Sequence, residues 1–371
     1  MDEETLLRLK IRLLTEGARL PDTESGVRKG GAGPVGSRYF ILPNGRACGV
    51  AVRDARSARV YGSAVLEPTD DERIWLYDGR FELRTVPRPQ FYDLRTADGV
   101  PFYKIALLHG SSTLATTAYQ MCRYWKTGEQ CRFCTIPTSL QSGDTILEKT
   151  PEQIANVVRA ALAEGVVSDL LITTGTPESE DMGINRIVAI VKRIRDFSDV
   201  PIGVQFEPPT DLEHIERVAA AGVNAVGMHL ECADEKLRMS MCPGKQIHGP
   251  TDLYRRCWTK AVGHFGRGNV STFLLHGLGE NTDSTLKMAE DVCQLGVLPV
   301  VTPFRPASGS RLSGLVPSYV GRGEENIDFY KRVGALLYRS GLNPADTSAG
   351  CHKCGGCTPI QEAYDWARHN A

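Results

Sequence analysis

The amino-acid sequence predicts an α/β protein whose largest part is a parallel β-sheet curled into a barrel. Between residues 111 and 310, six short apolar runs alternate with helical patterns and are joined by short connections. Alternation of this kind is typical of βα units, in which successive strands run parallel. The preceding hundred residues instead contain strand-like runs separated by turn signals, which predicts a smaller β-rich domain.

Each βα unit is recognised from its apolar run and from the helix signals that follow it. Thr150-Pro-Glu-Gln153, for example, forms a capping box with proline at the first helical position, and Gly165 ends that helix. The predicted strands span residues 114–119, 169–174, 201–206, 224–230, 270–275 and 298–303, and the predicted helices span 150–165, 184–197, 210–222, 253–264 and 284–295. In βα barrels the carboxyl ends of the strands carry the chemistry, so we expect the functional site at that edge.

The N-terminal part is predicted to contain one helix, over residues 3–16, and two β-hairpins. Asn44-Gly45 predicts the turn of the first hairpin and Asp78-Gly79 that of the second. Gly30, Gly31 and Gly33 indicate either a turn or a phosphate-binding loop, although their spacing matches no nucleotide fingerprint. These patterns divide the chain into an N-terminal α+β domain (1–105), a barrel (106–315) and C-terminal helices with a cysteine-rich segment (316–371).

The composition excludes several classes of partner. The chain has 371 residues, of which 42% are hydrophobic and 23% charged, and its net charge is −1. No basic run indicates nucleic acid, and no apolar stretch reaches the roughly 18 residues of a membrane span. The acidic start, Met1-Asp-Glu-Glu-Thr, does not resemble a secretory signal, so we expect unpaired cysteines in a reducing cytoplasm.

Three cysteines, Cys122, Cys131 and Cys134, follow the first barrel strand with the spacing C-x8-C-x2-C. An iron–sulfur cube needs one ligand for each of its four irons, so three thiolates leave one iron open. The alternative is a zinc site, but a zinc ribbon needs a second C-x2-C within roughly 15–20 residues, and the next cysteine is Cys232. The spacing therefore favours a [4Fe-4S] cluster.

This motif resembles that of the radical S-adenosylmethionine (SAM) superfamily, whose usual spacing is C-x3-C-x2-C and in which an aromatic residue, here Phe133, precedes the last cysteine. The resemblance implies a partial (β/α)6 barrel in which the open iron chelates SAM. It also implies a low-potential electron donor, ferredoxin or flavodoxin, and reductive cleavage of SAM to a 5′-deoxyadenosyl radical that abstracts hydrogen from a C–H bond.

Polar residues at the predicted strand ends are the candidates for SAM binding. Gln205 and Glu207 point to the same side of their strand, which indicates either ligand contact or a structural polar network. The run Thr173-Thr-Gly-Thr176 lies where the family often has Gly-Gly-Glu and lacks the carboxylate, which Glu178 is close enough to supply. We assign cofactor binding to Thr174, Gly175, Thr176, Gln205, Glu207, Glu231, Gly277 and Gly279.

Three residues are the catalytic candidates: His229, Glu231 and Arg305. The segment Gly227-Met-His-Leu-Glu231 resembles the family's fourth-strand segment, and His229 is either a proton donor near substrate or a satisfied core histidine. Arg305 is a partner for a substrate or SAM carboxylate, because a guanidinium matches a carboxylate, or else it forms a surface salt bridge.

A second cysteine triplet, Cys351, Cys354 and Cys357, has the spacing C-x2-C-x2-C. An ordinary ferredoxin run would continue with cysteine at position 361, which is glutamine here. The alternatives are an auxiliary [4Fe-4S] cluster, a zinc site completed by His352 or another residue, and free thiols. A fourth ligand is Cys48, a serine or the substrate, whereas Cys232, Cys242, Cys257 and Cys293 fit small buried apolar residues.

The motifs together resemble a radical SAM subfamily known from bacterial nitrilase gene clusters and, in plan, biotin and lipoyl synthases. The leading hypothesis is sulfur insertion of lipoyl-synthase type, with a small-molecule or carrier-bound acyl (octanoyl) substrate and a second radical SAM protein as a further candidate partner. The rivals are a radical SAM dehydrogenase or rearrangement enzyme, and a non-catalytic iron–sulfur or zinc protein.

Overall fold

The structure, a computed structural model, describes residues 1–19, 36–52, 60–68, 73–76 and 80–371. The glycine-rich loop at residues 28–34 and the Asp78-Gly79 turn lie outside the described residues. Two sheets are present in the described part, one N-terminal and antiparallel and one larger and mostly parallel.

The N-terminal sheet has five antiparallel strands in the spatial order β2-β1-β5-β4-β3. The strands are β1 (Ser37–Ile41), β2 (Ala47–Ala51), β3 (Leu66–Pro68), β4 (Arg73–Leu76) and β5 (Phe81–Thr85). The pairing of β1 with β2 and of β4 with β5 confirms both predicted hairpins.

Helix α1 (Glu3–Glu16) begins at the predicted residue, where the Asp2 side chain accepts a hydrogen bond from the Thr5 N–H. Its leucines at 9, 13 and 14 pack into the apolar core of the N-terminal sheet. Leu7 and Ile11, on another face, belong to the barrel core. One helix therefore contributes to both cores, and the division into three domains stays a prediction.

The larger sheet has seven strands in the order β12-β11-β10-β9-β8-β7-β6, and the six from β7 to β12 are parallel neighbours in chain order. The strands are β6 (Leu107–His109), β7 (Thr113–Thr117), β8 (Asp169–Thr173), β9 (Ile202–Gln205), β10 (Ala225–Gly227), β11 (Val270–His276) and β12 (Val297–Pro303). This curled, open sheet confirms the predicted partial barrel of six βα units. Strand β6, antiparallel to β7, was not predicted because three residues carry no periodicity.

The helices cover the outer face of this sheet and bury its apolar side chains. The helices that follow α1 in the described part of the chain are α2 (Tyr124–Thr127), α3 (Thr138–Gln141), α4 (Pro151–Glu164), α5 (Ile184–Arg195), α6 (Glu213–Ala220), α7 (Glu235–Met241), α8 (Pro243–His248), α9 (Thr251–Phe265), α10 (Thr282–Gln294), α11 (Gly323–Arg339), α12 (Cys351–Cys354) and α13 (Ile360–His369). In the described part of the chain, no helix is both long and apolar enough to cross a bilayer.

One local prediction about these helices is confirmed and another is wrong. The capping box of Thr150 and Gln153 is present at the start of α4. The helix predicted from residue 210 begins only at Glu213, because the Asp211 side chain accepts from the Glu213 N–H and holds the chain in a turn. Helices α7 and α8, between β10 and α9, were not predicted.

The C-terminal segment packs against the barrel strands. A Cβ on Gly203 of β9 would lie 3.2 Å from the Gly350 backbone, and the Gly350 N–H donates to Asp169 of β8 at 3.4 Å. The Thr358 hydroxyl donates to the Val301 carbonyl of β12. The second cysteine triplet is thereby held against the same sheet that carries the first.

Candidate active site

The first three cysteines lie on the loop after β7, residues 118–136, which we call the cluster loop. The end of β8 runs alongside it, because the Gly175 N–H donates to the Tyr119 carbonyl and the Arg123 N–H donates to the Thr176 carbonyl, each at 2.8 Å. A Cβ on Gly175 would lie 2.1 Å from the Met121 carbonyl oxygen. Glycine is therefore required where the end of β8 supports the cluster loop.

The thiols of Cys122, Cys131 and Cys134 are electrostatic neighbours. The pKa of Cys134 is raised to about 12, mainly by burial and further by the neighbouring thiols of Cys131 and Cys122. The Ile136 N–H points at the Cys134 sulfur from 3.5 Å. Within the described ranges no group of three His, Cys, Asp or Glu side chains is arranged to bind one metal ion. A [4Fe-4S] cluster is bound differently, because each thiolate binds a different iron.

The junction of α7 and α8, residues 241–244, supports the cluster loop from the other side. The Arg132 N–H donates to the Met241 carbonyl at 2.8 Å, and the Gly244 N–H donates to the Glu129 carbonyl at 3.0 Å. Hydrogen bonding to Cys242 and burial together raise the pKa of Cys131. All four cysteines interpreted as small buried residues, at positions 232, 242, 257 and 293, are buried, and Cys242 is in addition a neighbour of the cluster loop.

Lys245 joins two of the predicted site carboxylates. Its Nζ lies 3.0 Å from Glu207 Oε1 and 2.8 Å from Glu231 Oε1, and the three side chains are only 9–13% exposed. Burial by itself would lower the pKa of Lys245, but the two carboxylates raise it well above its ordinary value. Burial raises the pKa of Glu231, and Lys245 opposes that shift. The site therefore holds an ammonium between two carboxylates.

Other side chains hold this ion network in place. The Tyr254 hydroxyl donates to Glu207 at 3.1 Å and is also 3.1 Å from the His229 carbonyl. Arg238 is fully buried below Tyr254, and its guanidinium lies 4.8 Å from the ring centroid. Glu231 has φ of 72°, a left-handed conformation that is costly for a residue other than glycine. The backbone is thus strained at the residue that directs its carboxylate to Lys245.

His229 has one imidazole nitrogen without a partner. Its Nδ1 accepts from the Phe273 N–H at 3.2 Å, and its ring stacks on the Phe273 ring with centroids 4.0 Å apart. Since Nδ1 is the acceptor, the neutral ring carries its proton on Nε2, which is buried with no partner among the described residues. Burial lowers the pKa of His229 well below its ordinary value. The interpretation as a satisfied core histidine is therefore wrong, since one donor has no acceptor.

Gln205 contacts the second cysteine triplet. Its Nε2 donates to the Cys351 sulfur at 3.2 Å, so this side chain at the end of β9 serves the second triplet in the described structure. Two residues further on, Glu207 belongs to the Lys245 network beside the cluster loop. The end of β9 therefore connects the two cysteine sets.

The second triplet is enclosed by the N-terminal sheet and the β6–β7 turn. The Tyr39 hydroxyl of β1 lies 3.9 Å from the Cys357 sulfur, and a Cβ on Gly110 would lie 2.9 Å from the Cys354 sulfur. Burial raises the pKa of Cys354 to about 12, and Cys357 adds to that shift. Three thiols thus meet at the junction of the two sheets, and Cys48 belongs to the apolar core of the N-terminal sheet.

The loop after β11 is held by its own carboxylate. The Gly277 and Leu278 N–H groups each donate to Glu280 at 2.8 Å, and His276 Nδ1 is 2.7 Å from the same side chain. The Gly277 carbonyl accepts from the Ser318 N–H. Gly277 therefore has no free backbone group for a ligand, whereas a Cβ on Gly279 would meet open space.

The remaining two candidates differ in exposure. Glu178 is 69% exposed and pairs with Lys126 at 2.7 Å, so it lies at the surface. Both terminal nitrogens of Arg305 are buried, and no partner for them is present in the described residues. The surface salt bridge considered for Arg305 is therefore wrong. Lys245, Tyr254 and Arg238 were missed, because single residues on the helices α8, α9 and α7 give no distinguishing pattern.

Part of the chain matches a known protein family. Residues 128–292 match the model of the radical SAM superfamily, a match that includes Cys131 and Cys134 and starts after Cys122. Bacteriochlorophyllide c C-7(1)-hydroxylase from Chlorobaculum limnaeum is 24% identical over 332 residues, or 84% of this chain and 80% of the relative.

Solved structures of radical SAM proteins also resemble the chain. Methylornithine synthase has a TM-score of 0.47 and 19% identity over 62% of this chain and 63% of its own, so the chain spans less than two thirds of that protein. A radical SAM methyltransferase from Sphaerobacter thermophilus has a TM-score of 0.43 and 19% identity over 76% and 75% of the two chains.

The family match covers most of the barrel, and the cluster loop lies at the carboxyl end of β7 with three neighbouring thiols. Residues 128–292 therefore form a radical SAM domain, and the proteins of this superfamily are enzymes that bind a [4Fe-4S] cluster and SAM.

Proposed function

We propose that this enzyme activates a C–H bond of a small-molecule substrate bound between its two cysteine triplets. The observation that carries the proposal is the position of β9, whose Gln205 contacts Cys351 while Glu207 joins the network beside the cluster loop. A substrate at this edge of the barrel would lie near both triplets.

The donor sets fit the cofactors that the proposal requires. Cys122, Cys131 and Cys134 would hold a [4Fe-4S] cluster with one iron free for SAM, which together supply a 5′-deoxyadenosyl radical. Lys245 and Glu231 lie beside Cys131, where a cation and a carboxylate suit the carboxylate and ammonium of the SAM amino acid.

Cys351, Cys354 and Cys357 would hold a second [4Fe-4S] cluster. Their sulfurs are neighbours, and side-chain donors from β9 and β1 are near two of them. Hydrogen bonds to the sulfurs of a cluster are one of the means by which a protein sets its potential. The donor set thus suits a cluster better than three unconnected thiols.

Sulfur insertion is the first candidate for the overall reaction. A cluster with three cysteine ligands has one iron without a thiolate, and such a cluster can act as a sulfur source. The net change would replace a C–H bond of the substrate by a C–S bond, with one SAM cleaved and one external electron consumed for each hydrogen abstracted, and the electron released when the carbon radical bonds to sulfide would remain on the irons of the second cluster.

Hydroxylation is the second candidate, favoured by the likeness to a hydroxylase over 84% of the chain. Here the 5′-deoxyadenosyl radical would take a hydrogen atom from the substrate, and a cluster held by Cys351, Cys354 and Cys357 would accept the one further electron. The resulting carbocation adds water and releases a proton. The oxygen of the product would then derive from water.

Anaerobic reconstitution with iron and sulfide, followed by reduction with dithionite and SAM, tests whether the chain is an enzyme of this kind. We expect about eight irons per chain, four for each cluster, and formation of 5′-deoxyadenosine. Cys134→Ala should abolish SAM cleavage. If the fully loaded wild type produces no 5′-deoxyadenosine, the proposed enzyme activity fails.

Product mass then separates the two candidates. Octanoyl carrier peptides and bacteriochlorophyllide c are the probes, each incubated in water labelled with oxygen-18. Added sulfur together with loss of the second cluster supports insertion, whereas incorporated oxygen-18 with both clusters intact supports hydroxylation.

A further inference from the structure

Arg305 presents a buried cation without a counter-charge. It follows β12 at the carboxyl edge of the barrel, and both terminal nitrogens are enclosed with no acceptor in the described part of the chain. Each of these nitrogens carries two N–H donors. An unpaired buried charge is strongly unfavourable, so such a group normally has an anion to face.

Arg238 shows how this chain treats a buried arginine that is structural. Arg238 is fully buried, whereas only the terminal nitrogens of the half-buried Arg305 are enclosed, and the Arg238 guanidinium donates to the carbonyls of Leu230, Lys245 and Gly249 and to the Gln246 side chain. All three of its nitrogens therefore have acceptors. The terminal nitrogens of Arg305 have no acceptor among the described residues. Arg238 therefore stabilises the fold, whereas Arg305 has donors available for a ligand.

Among the described residues no carboxylate pairs with the terminal nitrogens of Arg305, and Glu362, which like Arg305 is an electrostatic neighbour of Cys48, pairs with Lys10 at 3.0 Å. Its electrostatic neighbours include Tyr319, Tyr330 and Cys48. Glu280 is an electrostatic neighbour of the same two tyrosines. Its carboxylate oxygens already form hydrogen bonds with His276 and with two backbone N–H groups. An anion for Arg305 has to come from outside the described residues.

The location distinguishes this site from that of the SAM amino acid. The positive charge of Lys245 lowers the pKa of Cys131 in the cluster loop. The charge of Arg305 lowers the pKa of Cys48, and Cys357 of the second triplet raises it. Arg305 and the second triplet therefore share the neighbour Cys48, and the proposed function places the substrate between the two triplets.

We propose that Arg305 binds a carboxylate group of the substrate, which makes the substrate of this enzyme an organic acid. The inference rests on the proposed function for the place of the substrate. The planar fork of a guanidinium matches the two oxygens of a carboxylate. The unpartnered Nε2–H of His229 is a second donor at the same edge, so the ligand is expected to be rich in acceptors.

Thermal unfolding of the reconstituted holoenzyme with sodium formate as the probe, against sodium chloride at equal ionic strength, tests the site. Formate should raise the Tm of the wild type, because a ligand that binds only the folded state stabilises it. Arg305→Met should lose this shift and, without formate, melt no lower than the wild type, because the substitution removes an unpaired buried charge. Arg305→Lys should show a smaller shift than the wild type, since an ammonium lacks the fork.

The control is Arg332→Met, which removes an exposed arginine paired with Asp283 and should keep the full formate shift. A Tm of Arg305→Met clearly below that of the wild type without formate would show a structural role and overturn the inference. Equal formate shifts in the wild type and Arg305→Met, or no shift in the wild type, would overturn it as well. SAM cleavage by the same wild-type preparation reports on the proposed function separately.

Discussion

Replacing Lys245 with methionine tests the buried ion network at the site. The substitution keeps the length and apolar stem of the side chain and removes the ammonium that lies within 3.0 Å of both Glu207 and Glu231. The two carboxylates then face each other at roughly 6 Å, where their repulsion amounts to about 3 kcal/mol at an effective dielectric constant of ~20.

Protonation of one carboxylate limits this loss and makes it depend on pH. Starting from the ordinary value of 4.5 for glutamate, uptake of one proton costs about 1.4 kcal/mol per pH unit, hence about 3 kcal/mol at pH 7 and under ~1 kcal/mol at pH 5. In the variant the folded-state pKa of one carboxyl lies above its unfolded value. That proton-linked stability is present at low pH and is lost as the pH rises, so the penalty of the substitution grows from pH 5 to pH 7.

Urea unfolding followed by circular dichroism under anaerobic conditions measures the effect. Lys260→Met is the matched control, because it breaks an exposed pair with Glu216 and should cost no more than ~1 kcal/mol. Adding Glu231→Gln to Lys245→Met should recover part of the loss at pH 7. The reasoning is refuted if Lys245→Met costs no more than Lys260→Met, or if its cost is the same at pH 5 and pH 7.

Three further predictions concern the two cysteine sets. Gln205→Leu should lower the midpoint potential of the second cluster, because an N–H donor to sulfur is lost. A redox titration followed by electron paramagnetic resonance measures this potential. The control is Gln361→Leu, which should leave the potential unchanged because the Gln361 amide contacts no thiol. Cys354→Ala should reduce the iron content by about four per chain and leave 5′-deoxyadenosine formation in place, and loss of that activity would contradict separate clusters. Gly175→Ala should destabilise the protein by about 1–3 kcal/mol in urea unfolding through its clash with the cluster loop, whereas Gly263→Ala in α9 should stabilise it by about 0.5–1 kcal/mol.

Local patterns predicted the fold well where an element is long enough to show its period. Helix α1 and the six parallel strands follow from apolar spacing over several residues, and the cap of α4 follows from Thr150 and Gln153. Strand β6 and helices α7 and α8 were missed because each is short and forms through packing against its neighbours. The start of α6 was wrong because the turn at Asp211 competes with the helix.

The candidate site could be predicted where its residues lie close together in the sequence. The cysteine spacings, together with the polar residues at strand ends, predicted a site at the carboxyl edge of the barrel, where the cluster loop follows β7. Gln205 illustrates the limit, because the sequence assigned it to SAM and the structure directs it to Cys351, 146 residues away.

The sequence alone predicted the radical SAM domain, the six βα units and the two sets of thiols, because each depends on spacings within a short stretch of chain. The tertiary structure decided which side chains meet: that Lys245 bridges Glu207 and Glu231, that Gln205 faces the second triplet, and that the terminal nitrogens of Arg305 face no acceptor among the described residues. The physical reason is that contacts between distant residues depend on how strands and helices pack, and packing leaves no periodic signal in the sequence.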